Sequence, residues 1–332
     1  NYLSNRPQYC TFNRVHSMYL ESTCGVPQGS ILGPLLFIIY LNDIVYSSNF
    51  FKFVLFADDT NLLASHNNLT DLANITNTEL RKISNWLNVN KLSLNLSKTT
   101  CMYFSNRHDS RKHDDIDINI DGIPVNKVSN TKFLGIILDE SLTWRQHNTY
   151  LTNLISKYTG ILFRLKHTLS SGHLFTLYSS LALPHIQYCN IIWADSNNCN
   201  LHTVHIKQKK IIRLCTNSHY LAHSAPLFAI LKTLTVYDIH RLHKATFMFQ
   251  YTNGLLPDFF SKYFTKSSAI HSIGTRSSDL YRPFNFRTDL ARNTIRRQGP
   301  LEWNGIDMNI RNSSSCKNFK NKYKKYLLSY YV

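Results

Sequence analysis

Two adjacent acids, Asp58 and Asp59, sit inside the run Lys52-Phe-Val-Leu-Phe-Ala-Asp-Asp-Thr-Asn-Leu-Leu-Ala64. Phe53, Leu55 and Ala57 share one face of the stretch before them, Val54 and Phe56 the other, and Leu62 and Leu63 follow. This alternation predicts a β-hairpin whose tip presents two carboxylates. Neighbouring carboxylates repel unless a cation is held between them. Hard oxygen ligands on a turn suit Mg²⁺, completed by phosphate oxygens and water. Asp is also ordinary turn chemistry, because it bonds its own backbone, so this segment alone leaves both readings open.

A second segment lies upstream: Gly25-Val-Pro-Gln-Gly-Ser-Ile-Leu-Gly-Pro-Leu-Leu-Phe-Ile-Ile-Tyr-Leu-Asn-Asp43. A loop of Gly, Pro and Ser passes into the apolar run Ile31–Leu41, which is too short to span a bilayer. Pro34 suits a first helical turn, where its missing N–H costs nothing. The expectation is a buried helix behind a loop in which Gly29 lets a backbone or a nucleotide come close.

Together these segments resemble the polymerase domain of non-LTR (LINE-type) retrotransposon reverse transcriptases. Gly25 to Phe37 is similar to that family's motif B, and Phe56-Ala-Asp-Asp59 to motif C. In the same order, Asn90-Lys-Leu-Ser-Leu-Asn-Leu-Ser-Lys-Thr99 resembles motif D and Lys132-Phe-Leu-Gly-Ile-Ile-Leu-Asp139 motif E. The resemblance implies Mg²⁺ on Asp58 and Asp59, with Asp58 the direct ligand. It implies template and nucleotide contacts at Pro27, Gln28 and Gly29, assistance to pyrophosphate departure from Lys98, and a primer grip at Phe133, Leu134 and Gly135. Lys98 also reads as a plain surface lysine, and Phe133–Gly135 as part of a core strand. RNA template, DNA primer and deoxynucleotide are the implied partners.

One part of the family pattern is missing from these residues. Motif A, an aspartate on a strand before motif B, has no counterpart, since the only acid before Gly25 is Glu21. The chain opens on Asn rather than Met, which gives the expectation of a portion of a longer reading frame, unable to polymerise alone. The alternative is a catalytically dead relic that at most binds nucleic acid. A mobile-intron maturase is a third reading, which the LINE-like tail around Trp303 disfavours.

Charge divides the chain. Residues 1–140 hold 12 Lys/Arg against 13 Asp/Glu, and residues 141–332 hold 25 against 7, within a net charge of +17. A single-sign surface of that size is costly in self-repulsion without a polyanionic partner, so nucleic acid is expected on the second half. Arg276, Arg282, Arg287, Arg292, Arg296 and Arg297 are its candidate phosphate contacts, with Tyr281, Phe284 and Phe286 interleaved for base stacking. Seven cysteines at irregular spacing do not describe a disulfide framework. With no signal peptide and no long apolar segment, an intracellular setting, nuclear or cytoplasmic, is expected, without a membrane partner. Cys199, His202, His205 and Cys215 have loosely zinc-like spacing that matches no tight signature.

The fold expected is α+β. Residues 1–140 form a partial polymerase palm, an antiparallel sheet with packed helices. Residues 141–195 form a helical thumb, and residues 196–332 a basic, mainly helical C-terminal region. Leu69, Leu72, Ala73, Leu80, Ile83, Trp86 and Leu87 recur at helical spacing, and Leu92, Leu94 and Leu96 alternate as a strand. Residues 105–118 read as a surface loop, Asp121-Gly122 as a turn between short strands, and Phe133–Leu138 as a further strand. Helices are expected over Val204–Cys215, 236–256 and Phe319–Leu328.

Overall fold

Short strands joined by tight turns build the first part of the chain, as its Gly, Asn and Asp pairs dictate. The structure, a computed structural model, describes residues 3, 5–23, 25–27, 29–104, 117–195, 198–269 and 279–331. Gln28, Arg276 and residues 105–116 of the loop expected over 105–118 lie outside the described residues. The fold is α+β. It divides into two units, residues 1–103 with 108–128, and residues 104–107 with 129–332.

In the first unit β1 (Arg6–Gln8), β2 (Thr11–Phe12), β3 (Val15–His16) and β4 (Leu20–Ser22) form a nested hairpin, β2 pairing with β3 and β1 with β4. Its tip, Asn13 and Arg14, takes positive φ of 48° and 65°, the turn that matches strand twist. Helix α1 (Leu32–Leu41) runs into a 3₁₀ turn over Asn42–Ser47. Strands β5 (Lys52–Phe56) and β6 (Asp59–Leu63) pair antiparallel, and neither pairs further among the described residues. Helix α2 (Leu69–Val89) starts at Asn68, whose Oδ1 accepts from the Thr70 N–H at 2.9 Å, a standard N-cap. Next come β7 (Thr100–Cys101), β8 (Asn119–Ile120), β9 (Ile123–Pro124) and β10 (Asn126–Lys127). Asp121 and Gly122, at φ 53° and 80°, turn β8 into β9, while β10 lies parallel to β7.

A small core holds this unit together. Ala73, Leu80 and Ile83 of α2 meet Ile44, Phe51, Ile118 and Ile120, with Phe53, Leu55 and Leu62 from the inner face of the β5–β6 hairpin. The period-2 reading of that hairpin therefore holds. Val54, Phe56 and Leu63 point outward and are exposed.

Two expectations need correction. Helix α1 is not buried: only Gly33 and Leu41 are, and Ile31 is 95% and Ile39 62% exposed. A helix apolar on every side needs cover on every side, and packing against the following 3₁₀ turn supplies only part of it. The second correction concerns Leu92–Leu96, which is not a strand. The Asn95 carbonyl instead accepts from the Lys98 and Thr99 N–H groups and from Thr99 Oγ1. Such local bonds from Asn, Ser and Thr segments compete with sheet ladders.

The second unit begins with β11 (Asn130–Phe133) and β12 (Ile136–Asp139), an antiparallel hairpin. The single strand expected over Phe133–Leu138 is thus broken by a turn at Leu134 and Gly135, both at positive φ. Helices follow: α3 (Arg145–Leu165), α4 (Ser171–Leu177), a π-helical turn over Tyr178–Ala182, α5 (Leu183–Gln187), α6 (Asn190–Trp193) and α7 (Asn198–Cys215). Then come α8 (Ser224–Ile230), α9 (Val236–Thr252), α10 (Asp289–Arg292), α11 (Ile295–Asn304), α12 (Met308–Arg311) and α13 (Cys316–Leu328). One hydrophobic core joins Leu151, Ile155 and Leu162 of α3 to Val204, Ile211 and Ile212 of α7, Phe249 of α9, Trp303 of α11 and Phe319 of α13. Residues 141–195 and 196–332 therefore share a core.

Gln208 occupies the centre of that core and is fully buried. Its Nε2 donates to Tyr178 Oη at 2.9 Å and to the Leu234 carbonyl at 3.0 Å, and its Oε1 accepts from the Val236 N–H at 2.9 Å. Val236 opens α9, where first-turn N–H groups lack helical partners. Phe319, Tyr323 and Leu327, four apart on α13, are buried, and the Phe319 ring stacks on Phe249 with centroids 4.7 Å apart. Among the described residues no helix is long and apolar enough to cross a membrane.

Candidate polymerase site and nucleic-acid surface

Register sets the geometry of the acid pair. Phe56 pairs with Asp59, so Ala57 and Asp58 form a two-residue turn and Asp59 is the first residue of β6. Ala57 holds φ at 51°, which costs an L-residue roughly 1 kcal/mol. Both acids are exposed, and neither carboxylate has a hydrogen bond or ion pair among the described residues. Two like charges on a strained turn without a counter-ion fit a cation-binding tip. No group of three or more His, Cys, Asp or Glu able to hold a metal exists among the described residues. The tip therefore presents two carboxylates, and no assembled metal site is found among the described residues.

The loop before α1 is tied at both ends. Arg6 Nη2 donates to the Gly25 carbonyl at 2.8 Å. Ser30 Oγ donates to the Pro27 carbonyl at 2.7 Å and accepts from the Gly33 N–H at 3.1 Å. Gly29 sits at φ +80°, and a Cβ there would meet nothing within 4 Å. Glycine is thus needed at this position for its conformation, and the space beside it is open. Lys98 is exposed on the Leu96–Lys98 turn and pairs with neither Asp58 nor Asp59.

Phe133, Leu134 and Gly135 surround the tip of the β11–β12 hairpin, which three side chains fasten. Asp139 accepts from the Thr143 N–H and hydroxyl through Oδ1, at 2.9 and 3.1 Å, and from the Trp144 N–H through Oδ2 at 2.8 Å. It thereby ties the two residues that precede α3 to the end of β12. Nδ1 of buried His147 accepts from the Ile137 N–H at 3.3 Å. Desolvation lowers this imidazole to about 4, so it stays neutral and keeps that acceptor. At the turn itself, Tyr188 Oη donates to the Leu134 carbonyl at 2.7 Å. Sequence reasoning missed all three. Asp139 and Thr143, four residues apart, were close enough in sequence to suggest a local bond; Tyr188, more than 50 residues from the turn, gave no signal.

Among the described residues the histidine–cysteine group does not assemble. The side chain of Cys199 lies outside the described residues. His205 packs between the Phe228 and Tyr237 rings, chiefly desolvated and lowered to about 4. Cys215 is buried in the core, its thiol pushed up to about 12 by desolvation.

Exposed Lys317, Lys320, Lys322 and Lys325 line the outer side of α13 beside exposed Tyr326 and Tyr330. Arg282 and Arg287 are exposed as well. Arg296, by contrast, lies 4.1 Å from the Phe284 ring centroid and 5.4 Å from that of Tyr263, so those rings already serve an internal cation–π contact. Arg292 donates to the Phe286 carbonyl and pairs with Asp289.

Residues 2–138 match the family described as Reverse transcriptase (RNA-dependent DNA polymerase). The chain is 27% identical over 74% of its length to a probable RNA-directed DNA polymerase from transposon X-element of Drosophila melanogaster, of which it covers 28%. It is 24% identical over 64% of its length to the RNA-directed DNA polymerase from mobile element jockey of Drosophila funebris, of which it covers 24%. Against the retrovirus-related Pol polyprotein from type-1 retrotransposable element R1 of Bradysia coprophila the figures are 27% over 52%, covering 18%. The chain thus spans about a quarter of the length of the curated relatives it matches. No solved structure matches it.

Proposed function

We propose that this chain, which belongs to the reverse transcriptases of non-LTR retrotransposons, carries part of the Mg²⁺ site of an RNA-directed DNA polymerase on Asp58 and Asp59. The observation supporting this is the pair of exposed, unpartnered carboxylates at the strained Ala57–Asp58 turn. Mg²⁺ takes one or two carboxylates and completes its shell with substrate phosphates and water, so the two acids suit a partial site. Asp58 and Asp59 would hold Mg²⁺ there as part of a two-metal centre, and the ion would supply activation of a primer 3′-hydroxyl toward the α-phosphate and charge stabilisation for the departing pyrophosphate. Asp58, at the tip, is the direct ligand, and Asp59 the secondary ligand one position into the strand.

The other residues supply position. Pro27, Gln28 and Gly29 lie against template and incoming nucleotide, the open side of Gly29 admitting close approach. Lys98 assists the leaving pyrophosphate. Phe133, Leu134 and Gly135 contact the primer, and the α3 region acts as thumb. The Lys and Arg side chains exposed on the second unit hold an RNA–DNA duplex by its phosphates. Residues 1–140 form the palm, 141–195 the thumb and 196–332 the basic region, working inside the cell in nucleus or cytoplasm. No residue here matches motif A, so the 332 residues alone are inactive.

Primer extension tests the reading. A version extended with the upstream polymerase segment of a jockey-type relative gains activity on an RNA template, and Asp58→Ala lowers it at least about 100-fold, the scale of losing a transition-state contact. Equal activity in both versions removes Asp58 from the site. The second reading, a nucleic-acid-binding relic, draws on the lack of a third metal-ligating group beside the acids among the described residues. It predicts no activity in the extended version, with duplex affinity still falling steeply as salt rises.

A further inference from the structure

We propose that Tyr188 is a positioning residue that locks the central peptide of the β11–β12 turn, so that the Gly135 N–H is presented to a primer phosphate. The proposal rests on the primer-contact reading of Phe133–Gly135.

The argument starts from the turn. Leu134 and Gly135, at φ 44° and 87°, are the two central residues of a two-residue hairpin loop. Turns of this kind exist in two forms, I′ and II′. The two differ mainly by a flip of the peptide plane between the central residues. That plane carries the Leu134 carbonyl on one edge and the Gly135 N–H on the other, pointing in opposite directions because the peptide is trans. Tyr188 Oη donates to the Leu134 carbonyl at 2.7 Å, and one bond therefore fixes the direction of both groups.

Tyr188 is itself held in place. Its carbonyl accepts from Trp193 Nε1 at 2.9 Å, and Trp193 is fully buried with its ring 5.5 Å from that of His147. His147 in turn bonds the Ile137 N–H of β12. The tyrosine ring also closes one side of the turn: a Cβ on Gly135 would stand 3.3 Å from its Cε1. The far edge is left for a ligand. The Gly135 N–H has no partner among the described residues. A free backbone donor on a rigid, exposed turn suits a phosphate oxygen, and contacts of that type fix the register of a nucleic-acid strand without reading its sequence.

The test pairs Tyr188→Phe, which removes only the hydroxyl, with primers carrying one uncharged methylphosphonate at each of the last few phosphates. The 332-residue chain is titrated with these RNA–DNA primer duplexes. With wild-type protein one substituted phosphate weakens binding about ten-fold, the scale of a single charge-assisted hydrogen bond. In Tyr188→Phe that sensitivity disappears, while affinity for a duplex without a recessed primer end is unchanged. A structural defect would lower both affinities together, and an unaltered melting temperature excludes loss of fold. Full sensitivity retained in Tyr188→Phe overturns the role of Tyr188 and leaves the primer contact standing. A wild-type protein indifferent to every substitution overturns the primer contact itself, and this proposal with it.

Discussion

Replacing Gln208 with leucine removes one side chain and orphans two buried backbone groups. The Leu234 carbonyl accepts a hydrogen bond from the carboxamide and the Val236 N–H donates one to it, in a fully buried site. Tyr178 Oη loses the third bond but retains a hydroxyl neighbour in Thr233. A buried backbone group left unpaired costs about 1–3 kcal/mol, so two cost about 2–6 kcal/mol. Leucine fills nearly the same volume, and the apolar gain offsets roughly 1 kcal/mol of this. The expected net loss is about 1–5 kcal/mol, a large share of the roughly 5–15 kcal/mol that holds an ordinary domain together. Urea unfolding followed by tryptophan fluorescence measures it, since Trp144, Trp193 and Trp303 all lie in the second unit. With m near 2–3 kcal/mol/M the midpoint falls by about 0.3–2.5 M. A midpoint within about 0.2 M of wild type refutes the claim that this carboxamide closes the junction between α7, the π-helical turn and α9. Gln208→Glu sharpens the comparison. It keeps an acceptor for Val236 but brings a charge into the core, so at neutral pH it destabilises more than leucine does.

Acidification provides a second check. Burial holds His147, His205 and His243 at about 4 in the folded chain, below the ordinary 6.5. The unfolded chain therefore takes up protons first, and the stability these groups contribute, complete above pH 6.5, is lost as pH falls toward 4. Urea midpoints of the second unit should drop across that window, and a flat or rising profile contradicts neutral burial. Asp139→Ala removes three bonds at the entry to α3 and costs about 1–3 kcal/mol, with faster amide exchange in the first turn of α3 as its local signature. Ala57→Gly relieves the φ of 51° and raises the stability of the first unit by up to about 1 kcal/mol. A lower melting temperature in that variant argues that the turn is unstrained.

The β5–β6 hairpin was legible because its alternation has a buried side and an open side, and Asp58 and Asp59 fall where the register must turn. Helix α2 was legible for a similar reason, a 3.6-residue stripe meeting a core. Legibility failed where local chemistry overrode pattern. Leu92, Leu94 and Leu96 alternate, yet Asn95 gathers the following N–H groups into a turn. The Phe133–Leu138 stretch is apolar throughout, and Leu134 gives no hint of the left-handed φ it adopts. Gln208 was hidden among lysines, although it falls in register with Val204, Ile211 and Cys215, where a polar residue has to find partners. The acid pair was visible in sequence as chemistry; of the residues that fasten the β11–β12 turn, Tyr188 required a contact far apart in the chain. Gln28 lies outside the described residues.

Helix α1 has a practical consequence. Ile31, Leu32, Leu35, Ile38 and Ile39 are exposed, and the β5–β6 hairpin adds Val54, Phe56 and Leu63 with two ladder edges that pair with no further strand among the described residues. Oily flanks beside open β-edges make a polypeptide adhesive. Purified at high concentration, this one will clump or cling to chaperones, so binding measurements belong at low concentration with a mild detergent present.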